Sequence, residues 1–341
     1  MRVGTHLRRL ALGALAGALL LAGCAGLPEP DLVRTSYIGP TPPGGETRLG
    51  RGSVSALAFS PDASALAVGG AVGLYLYDVE TLDTLWSIAS AAPVTSAAFS
   101  PDGVLLAAGL DDGSVSLLST ADGSLLASLT PSRTSTSRVD ALAWSAEDVE
   151  RGSLLAAGYG DGTLAVVNFK RAEGRLRYNI PQNVERLAAG ATALAYSPNG
   201  ALLAAGDRSG AIVLWDAWSA QNLGRLDGHE AAVSSLDWSP DGTTLLSGGR
   251  DGRVITWDAI DAAPLHVMEE HESAVLAVTF AEDGRTFGSI SEGGTIITWQ
   301  APGPEPQRVL ANVAGRPGIA AWSPGAAWLA EIKSRLLLPR P

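Results

Sequence analysis

The chain has 341 residues, of which 46% are hydrophobic and 17% charged, with 40 glycines and 20 prolines. That is too apolar for a disordered polypeptide and rich enough in turn residues to demand many short elements. A formal net charge of -11 excludes a nucleic-acid partner held by phosphate contacts. The single cysteine, Cys24, excludes an internal disulfide, so stability has to come from core packing.

The chain opens with Arg2, His6, Arg8 and Arg9, followed by the apolar stretch 10–23. A span needs about 20 apolar residues, so this stretch is too short to cross a bilayer comfortably and has the order of a secretory signal. It ends in Leu21-Ala22-Gly23-Cys24, which resembles the lipobox of bacterial lipoproteins. The resemblance implies cleavage before Cys24, lipidation (diacylglycerol, palmitate) of its thiol and an extracytoplasmic protein anchored to a bacterial cell membrane. Ala25 in place of Asp implies the outer membrane if the source is Gram-negative. The plainer reading of Cys24 is a core cysteine after a short helix. Removing residues 1–23 leaves 21 bases against 35 acids, a formal charge near -14. Residues 24–48 hold Pro28, Pro30, Pro40, Pro42, Pro43, Gly44 and Gly45, a composition that reads as an extended tether.

From residue 49 to 341 one pattern recurs. An alternating segment ends in an aromatic residue and a polar turn, often Ser-Pro-Asp-Gly; a segment like LLAAG follows, then a second turn, often Asp-Gly, and a third segment ending in Trp-Asp or a relative. The aromatic anchors are Phe59, Phe99, Trp144, Tyr196, Trp238, Phe280 and Trp322, spaced by 40, 45, 52, 42, 42 and 42 residues. Alternation with period two marks strands, and the turn residues mark hairpins. A sheet with two apolar faces must stack on neighbours, so seven such units predict a ring.

Trp215-Asp216, Trp257-Asp258 and Gly228-His229 resemble the WD-repeat family over roughly residues 50–341. The resemblance implies an all-β, seven-bladed β-propeller of four-stranded antiparallel sheets, closed by an amino-terminal strand. That strand is expected within residues 32–50, because the seventh unit is expected to end after its third strand, Leu336–Leu338. The family's structural hydrogen-bonded tetrad maps fully onto the fifth unit alone, at His229, Ser247, Asp251 and Trp257. The sixth unit keeps His271, Ser289 and Trp299 but has Gly293 where the acid belongs, and the fourth keeps only Trp215.

Catalytic signatures are missing from the sequence. His229-Glu-Ala-Ala-Val and His271-Glu-Ser-Ala-Val begin like a zinc HExxH site, but Val233 and Val275 stand where the second ligand should be. No G-x-S-x-G elbow and no cysteine pair occurs. The expectation is a monomeric, non-catalytic scaffold without metal or cofactor, bound to unidentified protein partners and, through Cys24, to the membrane. The rival readings are an enzyme or ligand sensor built on the central channel, and an outer-membrane assembly lipoprotein. For the last, Asp78, Thr81 and Trp86 imitate one copy of a known repeat.

The third unit is longer than the others between anchor and glycine (Trp144 to Gly158) and again from Gly158 to Tyr196. Both insertions are expected on one face of the third sheet. The second, Phe169 to Arg186, carries Lys170, Arg171, Arg175, Arg177, Tyr178 and Arg186 in an acidic protein, so these residues are candidates for docking an acidic partner. On the opposite face Arg133 and Arg138 precede the third unit, and the turns are expected to present Tyr159, Arg208, Arg250 and Glu292. A longer solvated hairpin and ordinary turn surface are the competing explanations.

Overall fold

The structure, a computed structural model, describes residues 32–37, 47–48, 53–132, 135–172, 175–179, 186–300, 306–310, 317–322 and 328–333. The described residues contain strands and turns and no helix. In chain order the strands begin with β1 (Leu32–Tyr37) and β2 (Thr47–Arg48). Blade 1 then holds β3 (Val54–Phe59), β4 (Ala65–Gly70), β5 (Gly73–Asp78) and β6 (Thr84–Ala89). Blade 2 holds β7 (Val94–Phe99), β8 (Leu105–Leu110), β9 (Val115–Ser119) and β10 (Leu125–Leu129). Blade 3 holds β11 (Val139–Trp144), β12 (Ser153–Tyr159), β13 (Leu164–Ala172) and β14 (Arg175–Asn179). Blade 4 holds β15 (Ala191–Tyr196), β16 (Leu202–Asp207), β17 (Ile212–Asp216) and β18 (Asn222–Leu226). Blade 5 holds β19 (Val233–Trp238), β20 (Thr244–Gly249), β21 (Val254–Asp258) and β22 (Ala263–Met268). Blade 6 holds β23 (Val275–Phe280), β24 (Thr286–Ser291), β25 (Ile296–Gln300) and β26 (Pro306–Leu310). The carboxyl-terminal strands are β27 (Pro317–Trp322) and β28 (Trp328–Lys333).

Blades 1 to 6 are antiparallel meanders whose strands are called a, b, c and d from the first strand outward, and in the last sheet β27 and β28 take positions a and b. The a strands touch in the order β3, β7, β11, β15, β19, β23, β27 and back to β3, so the sheets stand in a closed ring around an axis. The turn between a and b forms where the sequence supplies Ser, then Asp or Asn two residues on. Ser60 Oγ accepts the Ala65 N–H and donates to Asp62, and the same clasp recurs at Ser100 with Asp102, Ser197 with Asn199 and Ser239 with Asp241. Asx-type bonds of this kind preset the turn before any tertiary contact exists.

Small residues in strand b decide how closely the blades approach. Ala67, Ala107, Ala156 and Ala204 are fully buried. The glycine that ends each LLAAG-like run faces the first residue of the next blade, and a Cβ on Gly206 would lie 2.6 Å from Val233. Aromatic anchors and hydroxyls tie the inner strands together. The Trp144 and Trp238 indoles donate to Ala98 O and Ala195 O of the preceding blade, both at 3.2 Å. Thr95 Oγ1 and Ser234 Oγ donate to Val139 O and Val275 O of the following one, at 2.6 and 2.5 Å.

The last sheet differs from the expectation. It has the order β2-β1-β28-β27, so the amino-terminal end supplies two strands rather than one. β1 pairs with β28 over six residues, from Leu32↔Lys333 to Tyr37↔Trp328, and takes the third position that the sequence reading gave to Leu336–Leu338. Residues 336–338 lie outside the described residues, as does Cys24 with the whole leader. Part of the segment read as tether is therefore sheet: β1 and β2 both fall within residues 32–50, the window in which the closing strand was expected.

Candidate functional site

Among the described residues, the side chains that could carry chemistry fall into four places: the blade tetrads, the inner strands around the axis, the turn face near blades 3 and 4, and the opposite face of blade 3.

In blade 5, His229 Nε2 and the Trp257 indole both meet Ser247 Oγ at 2.8 Å, and His229 Nδ1 meets both oxygens of Asp251 at 3.1 Å. Burial pushes the Asp251 carboxyl up, but the bond to His229 and the N–H groups of Glu230 and Arg253 overcome it and hold the carboxyl at about 2. In blade 6, His271 Nε2 meets Ser289 Oγ at 2.7 Å and the Trp299 indole donates to it at 2.8 Å. There Gly293 offers no carboxylate, and His271 Nδ1 is buried without a partner. Burial lowers the His271 imidazole to about 4. Blade 4 replaces the network with apolar contact: Leu187, Ala205 and Trp215 occupy the His, Ser and Trp positions and share one buried cluster. Val233 and Val275, at the would-be metal positions, are fully buried first residues of their strands.

The inner strands carry two acids among the described residues, Asp140 and Asp237. Asp237 accepts the N–H of Trp238 at 2.9 Å and that of Phe280, on the next blade, at 2.7 Å. Desolvation pushes its carboxyl up to about 6 against these bonds. Asp140 stands where blades 1, 2, 4 and 5 have Ser or Thr and is bracketed by Arg138, Nε to Oδ1 at 2.5 Å, and by Arg208 of blade 4, Nη2 to Oδ2 at 2.7 Å. Arg208 thus lies on the turn face, half engaged by Asp140, and Arg250 is exposed one blade further on. Glu292 is half-buried, and Arg133 lies outside the described residues.

Tyr159 corrects the sequence reading. It was expected at a surface turn, but it is fully buried at the end of β12, where its ring joins the core shared by blades 2 and 3. Its hydroxyl donates to Gly113 O at 3.3 Å and accepts the Ser132 N–H at 3.2 Å. Burial, offset in part by the Ser132 N–H, raises the phenol to about 12. A side chain so placed presents nothing to a partner. The alternation of β12 turns Tyr159 inward together with Leu155 and Ala157, which the sequence pattern alone could have indicated.

The two insertions of blade 3 meet. The a–b connection makes a tight turn in which Asp148 and Gly152 exchange backbone bonds and Asp148 Oδ1 accepts the N–H groups of Glu150 and Arg151. Strand β13 runs nine residues, against five or six for strand c of other blades, and overshoots the sheet with β14. Lys170 Nζ donates to Glu150 O across the gap. Gly152 (φ 89°) sits so close that a Cβ would lie 2.0 Å from Phe169 O. Trp144, Phe169 and Tyr178 form a file of rings with centroids 5.0 and 5.8 Å apart, leading from the core to the 47% exposed Tyr178. Arg151 lies over the Trp218 ring of blade 4, 5.3 Å from its centroid. Lys170 and Arg177 are exposed, whereas the side chains of Arg171 and Arg175 lie outside the described residues. Arg186 pairs with Asp161 at 3.0 Å, near the turn face and away from the hairpin tip.

Asp78, Thr81 and Trp86 act within blade 1 and its neighbour. Asp78 Oδ1 accepts the Thr81 N–H, and the Trp86 indole donates to Thr120 O of blade 2 over Gly123.

The family described as "WD domain, G-beta repeat" matches residues 186–216, 220–258 and 262–300, and the "Anaphase-promoting complex subunit 4 WD40 domain" matches residues 81–147. The chain is a WD-repeat propeller. The matches to the WD repeat cover blades 4 to 6, where the Trp residues of strand c are kept, and the tetrad groups of this WD-repeat propeller named above fall there too. No curated protein sequence matches the chain significantly. WD-repeat propellers of this kind serve as surfaces for protein–protein interaction, and this propeller is a protein-interaction scaffold on that ground.

Proposed function

We infer that this chain is a non-catalytic scaffold held on the extracytoplasmic side of a bacterial membrane by a lipid on Cys24. The observation that carries the scaffold reading is where its reactive-looking groups are engaged. Asp140 and Asp237 of the inner strands and His229 and His271 of the blades bind backbone or neighbouring side chains that hold the ring together. A group so engaged stiffens the disc and is not free to touch a substrate. Anchoring rests on the order of basic residues, apolar stretch and Leu21-Ala22-Gly23-Cys24 in the sequence. Two or more acyl chains, each buried CH₂ contributing about 0.8 kcal/mol, hold a protein firmly at a bilayer.

Two measurements test this. Metabolic labelling with palmitate is expected to mark the chain and to fail on Cys24→Ala; a labelled variant or an unlabelled native chain contradicts the anchor. Cross-linking in intact cells followed by purification is expected to return a reproducible protein partner. Return of the chain alone contradicts the scaffold.

A further inference from the structure

We propose that blade 6 holds a binding site for a one-carbon carboxylate, formate being the simplest, at the position where blade 5 carries the Asp251 side chain. The site lies inside a blade and stands apart from the scaffold reading.

The turn between strands b and c is built alike in the two blades. In blade 5 the Gly249 N–H donates to Arg253 O at 3.0 Å and the Arg250 N–H to Ala232 O at 2.9 Å. In blade 6 the Ser291 N–H donates to Thr295 O at 3.0 Å and the Glu292 N–H to Ala274 O at 2.8 Å. Gly252 and Gly294 close the two turns with φ of 84° and 79°. On this frame blade 5 aims three N–H groups at one carboxylate: His229 Nδ1, the Glu230 N–H and the Arg253 N–H all meet Asp251. Burial opposes a charge there, yet the donors hold the carboxyl at about 2. Blade 6 keeps the counterparts, His271 Nδ1, the Glu272 N–H and the Thr295 N–H, but Gly293 brings no acceptor. Among the described residues none of the three has one.

The histidine is set to donate. The Trp299 indole donates to Ser289 Oγ, so the Ser289 hydrogen goes to His271 Nε2, and the neutral ring carries its own hydrogen on Nδ1. His271 is 7% exposed and Nδ1 is fully covered. A buried donor without an acceptor is costly, and an anion that reaches it removes that cost. Charge-assisted bonds from two backbone N–H groups add to the gain.

Ser273 sets the size of the ligand. It replaces Ala231 of blade 5 and accepts the Gly293 N–H at 2.8 Å, which leaves its own hydrogen to donate. Its Oγ lies 2.9 Å from where a Cβ on Gly293 would stand. A carboxylate that bears only hydrogen at that point fits beside Ser273, whereas a methyl group there presses on Oγ. Gly293 is exposed and Ser273 half-buried, so the site lies just beneath the surface. Two acids flank it, the exposed Glu272 and the half-buried Glu292, and both oppose an anion. In blade 5 Arg253 pairs with Glu230, but Thr295 offers blade 6 no such cation. This repulsion limits affinity and gives a handle on it.

The test is nitrogen NMR of the intact chain in detergent, labelled at its histidine rings, with formate exchanged for chloride at constant ionic strength. The His271 signal, identified by its loss in His271→Gln, is expected to move and saturate, while those of His229 and His266 stay in place. Acetate is expected to bind about tenfold more weakly than formate, because the extra methyl overpacks the site. In Ser273→Ala that preference should largely vanish. Glu292→Gln is expected to tighten formate binding. Gly293→Asp, which supplies the carboxylate from the chain itself, should abolish the response, with an undiminished melting temperature showing that it folds. A His271 signal that formate leaves unmoved means that water alone meets the ring, and overturns the proposal. So does a response of His229 as large as that of His271, a response that survives in Gly293→Asp, or equal binding of acetate and formate by the native chain.

Discussion

Asp237 Oδ2 accepts the Phe280 N–H at 2.7 Å, joining the inner strand of blade 5 to that of blade 6. Ser235 Oγ accepts the Val278 N–H two residues earlier, so the two inner strands are laced at alternate positions. A carboxylate can accept from Phe280 and Trp238 at once, one on each oxygen. Asp237→Asn has one carbonyl oxygen and turns an amide nitrogen toward a donor. It is expected to lower stability by about 1–3 kcal/mol, read by thermal unfolding. The native carboxyl titrates near 6, above its unfolded value of 3.8, so the folded form holds the extra proton between those values. The contribution of this group to stability therefore declines as pH rises from 3.8 to 6, and the asparagine variant should lack that slope. An unchanged melting temperature would show that the lacing contributes nothing.

Ser247 receives both the His229 ring and the Trp257 indole. Ser247→Ala strands two buried polar atoms and is expected to cost about 2–4 kcal/mol in denaturant titration. Adding His229→Leu should recover part of the loss, since blade 4 packs Leu187, Ala205 and Trp215 at the same positions. A loss no smaller in the double variant would contradict this account of the tetrad.

Gly293→Asp should complete the broken tetrad of blade 6. The new Cβ would lie 2.9 Å from Ser273 Oγ, the end of a side chain that can rotate, and the carboxylate could then reach His271 Nδ1. His271 titrates near 4 when folded and 6.5 when unfolded, so the unfolded chain binds more protons between those values and stability is lost as pH falls through them. A carboxylate beside the ring favours its charged form and removes that loss. The melting temperature should rise at pH 5 by more than at pH 8, with a gain of about 1 kcal/mol at the lower pH. A decrease at pH 5 would count against it.

Ala63 has φ 57°, while Gly103, Gly200, Gly242 and Gly284 hold the same turn position at 62 to 71°. An L side chain is strained there, and Ala63→Gly is expected to stabilise the chain by about 0.5–1 kcal/mol. A lower melting temperature would mean that the lost chain entropy of alanine outweighs the strain.

Much of this architecture is legible in the sequence, because each blade repeats its own local chemistry. Ser60 with Asp62 and its counterparts fix a hairpin within six residues, and the aromatic anchors mark the strand before it. The joint between the chain ends was harder to read. That a closing strand lies within residues 32–50 followed from the strand count of the last unit, but which residues pair, and that two strands enter rather than one, did not, because β1 meets β28 some three hundred residues away. Tyr159 was misplaced for a different reason. It follows the glycine of LLAAG, where blades 4 and 5 have Asp207 and Gly249, and reading that position as the start of a turn overlooked its alternation with Leu155 and Ala157; the bond to Gly113 O of the neighbouring blade shows what its hydroxyl does there. The pairing of both insertions on blade 3 was visible from lengths, but the fit of Gly152 against Phe169 needed coordinates.

The account depends most on β1 completing the last sheet. Hydrogen–deuterium exchange of the intact chain, followed by mass spectrometry on peptides covering Leu32–Tyr37, measures this without any substitution. Protection comparable to that of Trp328–Lys333, lost together with it on mild denaturation, is the expected result. Exchange of Leu32–Tyr37 at the rate of a free peptide, while Trp328–Lys333 stays protected, would contradict closure by the amino-terminal strand.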